Sequence, residues 1–540
     1  MKLSPSAYAD SFCRDNLPPE GQWPDLEFTL PGLNYPDRLN AADELLDVTI
    51  AARGADQRCL LTPTETWTYG ELADRANQVA SFLTEDLGLV PGNRVLLRGP
   101  NNPWLVACWF GVLKAGGVAV ATMPMLRAAE LSTICRVAQV SLALCDARFT
   151  DELAAAAIPG VTVIPFGGSE PDDLTSRIQA KPDQFDSVQT AADDVAMIAF
   201  TSGTTGRPKA AMHFHRDLLA VADTFSARVL QPDPDDLFAG TPPLAFTFGL
   251  GALVLFPFRV GAATLLLEKA TPAELADSIA KFGVTVLSTA PTAYRAMLGA
   301  GKADQLRGLR RPVSAGEHLP GSTWQAFYDA TGVKIIDGIG STELLHIFIA
   351  SADDEIKAGS TGKVVPGYRA CIVDKDGKQV PDGEPGRLAV KGPTGCRYLA
   401  DERQRSYVQD GWNLTGDTYV RDGDGYFWYQ ARSDDMIISG GYNIAGPEIE
   451  EVLLSHPDVA ECGVVGLPDE ARGQIVKAYI VLRDGAEGGD SKAVELQDLV
   501  KRRIAPYKYP RAIEFVDLLP RTNTGKLQRF KLREHAAVDD

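Results

Sequence analysis

The sequence has eight cysteines in 540 residues, at positions 13, 59, 108, 135, 145, 371, 396 and 462, and no Cys-x-x-Cys pair. That scatter speaks against a zinc site and a disulfide framework and suits a reduced, cytoplasmic protein. Long apolar runs are missing too. The most hydrophobic windows are interrupted by Lys114 and Arg259, so neither reads as a membrane span. The opening Met1-Lys2-Leu3-Ser4-Pro5-Ser6 lacks the apolar core of a signal peptide. Basic charge is in deficit, with 53 Lys and Arg against 71 Asp and Glu and a net charge of −18. This balance opposes unspecific binding to nucleic acid or an anionic membrane, and any anionic ligand has to be met by a local basic patch. Internal repeats and low-complexity linkers are also missing.

What is present is an ordinary globular composition, 45% hydrophobic and 23% charged, in a chain too long for a single core. Strand-like runs alternate with helical patterns. Residues 94–97, 117–121, 141–144 and 284–287 read as strands, and 104–114, 130–137, 218–229 and 272–281 as helices. The alternation predicts βαβ units and parallel sheets covered on both faces. Beyond residue 355 the texture changes to Asp-Gly turns between short apolar runs, as in Asp374-Lys375-Asp376-Gly377 and Asp422-Gly423-Asp424-Gly425, which predict β-hairpins. The final hundred residues return to mixed α/β, with a basic cluster over 501–533.

Five segments carry chemistry. Thr201-Ser202-Gly203-Thr204-Thr205-Gly206-Arg207-Pro208-Lys209 leaves the strand-like Val195-Ala196-Met197-Ile198-Ala199-Phe200. Its hydroxyls and glycine N–H groups can donate to a polyphosphate, and its two cations can neutralise it. A P-loop needs Gly-x-x-x-x-Gly-Lys-[Ser/Thr]; here the glycines stand three apart and Ala210 follows Lys209, so ATP is held another way. Asp337-Gly338-Ile339-Gly340-Ser341-Thr342-Glu343, after Val333-Lys334-Ile335-Ile336, reads as a glycine-flanked turn at a strand end. It offers Glu343 to a magnesium ion and Thr342 to the α-phosphate, while Ser341 and Thr342 equally suit a helix cap. Thr415-Gly416-Asp417 precedes Arg432, and such a carboxylate can accept both hydroxyls of a ribose with the guanidinium beside it. Ser439-Gly440-Gly441-Tyr442-Asn443 places glycine in a strand, for a thin ligand along the edge or for a β-bulge. Finally, Pro520-Arg521-Thr522-Asn523-Thr524-Gly525-Lys526-Leu527 holds one cation at a loop tip, suited to developing negative charge or simply solvated.

In this order and spacing the five segments resemble the adenylate-forming superfamily of acyl-CoA synthetases, luciferases and peptide-synthetase adenylation domains, over residues 45–533. Ser314-Ala315-Gly316-Glu317 is similar to the adenine-contacting loop of that family, and Gly383-Glu384-Pro385-Gly386-Arg387-Leu388 to its later β motif. The aromatic or histidine gate of the acyl pocket is Phe246 here, in Pro242-Pro243-Leu244-Ala245-Phe246-Thr247-Phe248-Gly249. After Asn443 the chain reads Ile-Ala-Gly-Pro-Glu where relatives often have Ile-His-Pro.

The resemblance implies an α/β fold. A large N-terminal domain (1–432) would contain two doubly wound parallel-sheet subdomains and a β-rich one, and a small mobile α+β C-terminal domain (433–540) would pivot at Asp434. It further implies a two-step ligase using ATP, Mg²⁺ and CoA. Thr201, Ser202, Gly203, Thr204, Thr205, Gly206 and Lys209 would close over the β- and γ-phosphates. Gly316, Glu317, Asp337, Gly338, Ser341, Thr342, Asp417 and Arg432 would hold the rest of the nucleotide, Glu343 the metal, and Gly440 and Gly441 would border the CoA tunnel. Lys526 would bridge acid and α-phosphate. Within the family, Gly340-Ser341-Thr342-Glu343-Leu344-Leu345-His346-Ile347-Phe348, Gly392-Pro393-Thr394-Gly395-Cys396-Arg397-Tyr398-Leu399 and Leu17-Pro18-Pro19-Glu20-Gly21-Gln22-Trp23-Pro24 look most like benzoate and 2-aminobenzoate (anthranilate) ligases. The implied aromatic-acid pocket comprises Phe246, Thr247, Phe248, Ala315, Gly340, His346 and Ile347, with Thr247 or His346 in reach of an ortho amino group. A homodimer is common among relatives. Aryl loading of a separate carrier protein, luciferase-type oxygenation and a silent nucleotide-binding regulator are the alternatives.

Overall fold

The computed structural model describes residues 3–201, 208–432, 435–439, 442–469, 472–504, 506–522 and 526–538. Its first sheet has six strands in the order Thr162–Phe166, Leu142–Asp146, Arg94–Arg98, Val118–Thr122, Val195–Thr201, Lys209–Phe214. All neighbours are parallel except the last pair, in which Thr201 stands opposite Lys209. The segment 202–207 thus joins two antiparallel strands, whereas a P-loop joins a strand to a helix.

The second sheet has nine strands. A parallel centre runs through Ile336–Gly340, Arg311–Ser314, Val286–Thr289, Leu237–Gly240, Ala263–Leu265 and Arg58–Leu61. Antiparallel strands close both edges, Thr66–Thr68 on one side and Ile347–Ala350 with Lys363–Val364 on the other. The expected parallel sheets are therefore present, and three of their edges add antiparallel strands after short connections.

The helices between strands start as the chemistry of their first residues dictates. At Pro103–Lys114 the Asn102 side chain accepts from the Leu105 N–H at 2.9 Å, with proline in the first turn. Every residue of this helix but Trp104 is buried. Lys114, which interrupts its apolar run, is buried too and donates to Asp47 at 2.6 Å. At Pro272–Phe282, Thr271 and Glu274 form a reciprocal capping box. The helix expected over 218–229 is two pieces, His215–Val221 and a wider-turned Ala222–Leu230. No helix among the described residues is long and apolar enough to cross a membrane.

After residue 355 the predicted hairpins appear. Arg369–Val373, Pro385–Lys391, Trp412–Arg421 and Val408–Gln409 form one antiparallel sheet, with Phe427–Arg432 paired to Trp412–Arg421 across the Asp422 turn. The last part is a three-stranded sheet of Val459–Asp469, Gly473–Leu482 and Ala512–Phe515 with helices Gly446–Leu454, Asp490–Arg503 and Arg529–Val538. Its core, from Ile437 to Val500, draws on no residue before 437. Ahead of it, Ile437–Ser439 and Tyr442–Ile444 pair antiparallel, Ser439 opposite Tyr442. Gly440 and Gly441, on which the expectation of an edge ligand or a β-bulge rests, lie outside the described residues.

Candidate active site

The sequence-chosen residues gather where strands of both parallel sheets end, at the carboxyl edge that open α/β sheets use for ligands. Ser202, Gly203, Thr204, Thr205, Gly206, Asp434, Gly440 and Gly441 lie outside the described residues. Thr201 ends its strand opposite Lys209. The Lys209 ammonium lies 3.3 Å from the Tyr398 hydroxyl and 5.1 Å above that ring. Tyr398 is fully buried, and its hydroxyl donates to Glu343 Oε1 at 2.5 Å.

Asp337, Gly338 and Gly340 belong to the strand Ile336–Gly340, so the glycine-flanked turn is corrected to a strand followed by a turn at 341–345. The glycines are there for close approach. A Cβ on Gly340 would meet the His346 carbonyl at 2.6 Å, and one on Gly338 the Ile347 side chain at 2.9 Å. No helix follows. The Ser341 hydroxyl accepts from the Leu344 N–H at 3.2 Å and Leu345 takes φ 72°, which reverses the chain into Ile347–Ala350. Glu343 is buried, and no group of three or more His, Cys, Asp or Glu gathers among the described residues. A single buried carboxylate fits Mg²⁺, which takes its other ligands from phosphate and water.

Asp417 and Arg432 face each other across adjacent strands and pair at 3.3 Å. Burial raises the Asp417 carboxyl above its ordinary pKa, against the pull of Arg432, Thr415 and Lys526. Gly316 holds φ +87°, and its missing side chain leaves room for Lys526, whose Cε would stand 3.9 Å from a Cβ there. Lys526 keeps solvent access at its loop tip, yet protein surrounds it in the cleft. That desolvation, with Arg432, lowers its ammonium pKa against Asp417, Glu317 and Glu343. Glu317 pairs with Arg521 at 3.3 Å, and Arg521 also holds Glu461 at 2.6 Å. The loop carrying Lys526 is therefore tied to both walls of the cleft.

A second group forms around His346, which is buried in an aromatic box. Ring centroids of Phe225, Phe248 and Phe256 stand 5.7, 5.7 and 4.5 Å away. Burial lowers the imidazole pKa to about 3, so it is neutral at working pH. Its Nε2 lies 3.4 Å from the Phe248 carbonyl and donates there, as a carbonyl only accepts. Nδ1 is then a lone-pair acceptor, buried and without a partner. Of the other expected pocket residues, Thr247 and Ala315 are buried and Phe246 is half-buried; Ile347 packs into the main core. Gly251 is what admits the imidazole, since a Cβ there would fall 2.2 Å from His346 Cδ2. Accordingly, Gly251→Ala should displace His346 and cost about 1–3 kcal/mol of stability, measured by urea titration.

Sequence reasoning missed Phe225, Gly251, Phe256, Tyr398 and Arg521 as parts of these groups. Arg521 and Tyr398 had a local signal, their places in segments already singled out.

Family models match over most of the chain: AMP-binding enzyme over residues 48–398 and AMP-binding enzyme C-terminal domain over 448–526. Benzoate–CoA ligase of Thauera aromatica is 36% identical over 521 residues, spanning 94% of this chain and 98% of that protein. The crystal structure of the anthranilate CoA ligase AuaEII with anthranoyl-AMP superposes with TM-score 0.90 at 35% identity, covering 94% of this chain and 99% of that one. A benzoate CoA ligase from Burkholderia xenovorans LB400 gives 0.85 at 33%, covering 92% and 100%.

Proposed function

The chain belongs to the AMP-binding enzyme family, as an AMP-forming acid–CoA ligase using ATP, Mg²⁺ and CoA, and from this premise we propose that its acid is a flat aryl carboxylate, benzoate or 2-aminobenzoate. The observation that carries the aryl reading is the aromatic box around neutral His346. Aromatic walls with one polar group suit a planar acid, and an unpartnered Nδ1 acceptor favours a ring that bears a donor. The amino group of 2-aminobenzoate supplies that donor; benzoate does not.

In the first half-reaction a carboxylate oxygen attacks the α-phosphorus of ATP, the bond to the bridging oxygen breaks, and pyrophosphate leaves. Two anions must meet, so the protein's tasks are alignment and charge neutralisation. Lys209, with Thr201 and the segment after it, serves the pyrophosphate side. Asp417 and Arg432 hold the ribose, Gly316 and Asp337–Gly338 the base, and Thr342 the α-phosphate. Glu343 would hold Mg²⁺, which would neutralise phosphate charge when bound. Lys526 meets the charge that builds between acid and α-phosphate. In the second half-reaction the CoA sulfur attacks the acyl carbonyl and AMP departs. We assign this step to a second setting of the C-terminal unit (433–540), turned about Asp434, in which Gly440 and Gly441 line the thiol's approach.

The test is AMP release and product mass with CoA across benzoate, 2-aminobenzoate, hydroxybenzoates and a medium-chain fatty acid. Preference for an aryl acid is expected, and preference for the fatty acid would sink the aryl reading. His346→Phe should cost 2-aminobenzoate at least about tenfold more in kcat/KM than benzoate, because only the former loses a hydrogen bond. Equal losses would remove the donor argument. Faster turnover with a carrier protein than with CoA would overturn the choice of acceptor.

A further inference from the structure

Tyr398 lies in none of the five chemistry-bearing segments, yet its hydroxyl is the only described group that touches both Lys209 and Glu343. Its seat is rigid. The segment 397–399 pairs with the strand Lys209–Phe214, through Met212 N–H to the Arg397 carbonyl at 2.8 Å and Leu399 N–H to the Ala210 carbonyl at 2.9 Å. The Gln404 side chain accepts from the Tyr398 N–H at 2.9 Å and donates back to the Cys396 carbonyl at 3.0 Å. Tyr407 packs edge-on to the Tyr398 ring at 5.8 Å.

We propose that Tyr398 is a positioning residue for the metal carboxylate. Its hydroxyl occupies Glu343 Oε1 and so leaves Oε2 as the oxygen offered to Mg²⁺, while it gives the Lys209 ammonium a resting partner until phosphate takes its place. The inference rests on the reading of Glu343 as the metal-holding residue. Outer-shell donors of this kind fix the orientation of a ligating group before the metal arrives. A tyrosine does this without adding charge, so the carboxylate keeps its full negative charge for the cation.

The experiment uses the full chain with α,β-methylene-ATP, and Mn²⁺ as the paramagnetic probe titrated by EPR. Metal-free nucleotide affinity is measured separately by calorimetry in EDTA. Tyr398→Phe is expected to weaken Mn²⁺ retention about tenfold and to leave metal-free nucleotide binding as in wild type. The double variant with Glu343→Gln should be no weaker than Glu343→Gln alone. If Glu343→Gln weakens Mn²⁺ and Tyr398→Phe does not, the positioning role is wrong and the metal assignment survives. If Glu343→Gln has no effect on Mn²⁺, the metal assignment itself fails, and the inference with it. A matching loss of metal-free nucleotide affinity in Tyr398→Phe would show that the phenol acts through Lys209, which also overturns the proposal.

Discussion

Replacing Lys526 by alanine is expected to slow acid-dependent ATP–pyrophosphate exchange by about 10²- to 10³-fold, the loss typical of one donor aimed at developing charge. Thioester formation from a supplied acyl-adenylate should stay near the wild-type rate. The asymmetry follows from geometry. Lys526 reaches the space above Gly316, near Asp417, Glu317 and Glu343, from a loop tied down by Thr522, whose N–H donates to the Lys526 carbonyl at 2.7 Å and whose hydroxyl accepts from the Lys526 N–H at 3.0 Å. That placement serves the step in which two anions meet and has no part in attack by a thiol from elsewhere. Equal loss of both half-reactions would contradict it.

The same lysine predicts a pH profile. Desolvation in the cleft and the Arg432 charge lower its pKa, so it loses its proton at a lower pH than an ordinary lysine does. In the proposed mechanism the protonated form of Lys526 is the active one. Adenylation should therefore decline as pH rises through this lowered value, on an alkaline limb below the usual lysine range. Lys526→Arg should move that limb upward, because a guanidinium keeps its charge. A limb left in place by the arginine variant would belong to another group.

The parallel sheets were legible in the sequence because their strands are buried on both faces and read as apolar blocks between amphipathic helices. Residues 94–97 and 104–114 fall almost residue for residue on Arg94–Arg98 and Pro103–Lys114. The antiparallel edges were not legible, since Lys209–Phe214 carries an apolar run like that of a parallel strand and only tertiary pairing tells them apart. The turn misplaced at 337–340 has a similar cause. Glycine permits a turn, but here it serves close packing against His346 and Ile347. Among site residues, those with charge in glycine-rich surroundings declared themselves. Phe225 and Phe256 did not, because a phenylalanine packed on a buried histidine and one elsewhere in a core have the same local sequence.

The largest effect on stability is expected at a pair that touches no substrate. Arg397 and Asp217 are both fully buried and ion-paired, and the Arg397 guanidinium lies 3.9 Å above the Phe214 ring. Burial drives Asp217 towards its neutral form and lowers the Arg397 pKa, and each holds the other charged. Asp217 also accepts from the Phe214 N–H at 2.9 Å and so caps the helix His215–Val221. Arg397→Met leaves a buried carboxylate without its countercharge and should cost about 3–5 kcal/mol in a urea titration. Adding Asp217→Leu should recover most of that, short of about 1 kcal/mol for the lost cap. A single variant within about 1 kcal/mol of wild type would mean that water or rearrangement solvates Asp217, against the depth of burial seen here. Arg397 also passes its main chain directly to Tyr398, so the loss should reach the site. The doubly replaced protein should fold and still bind MgATP more weakly than wild type, because the pair holds the segment 397–399 against the strand Lys209–Phe214, where Lys209 meets the Tyr398 hydroxyl.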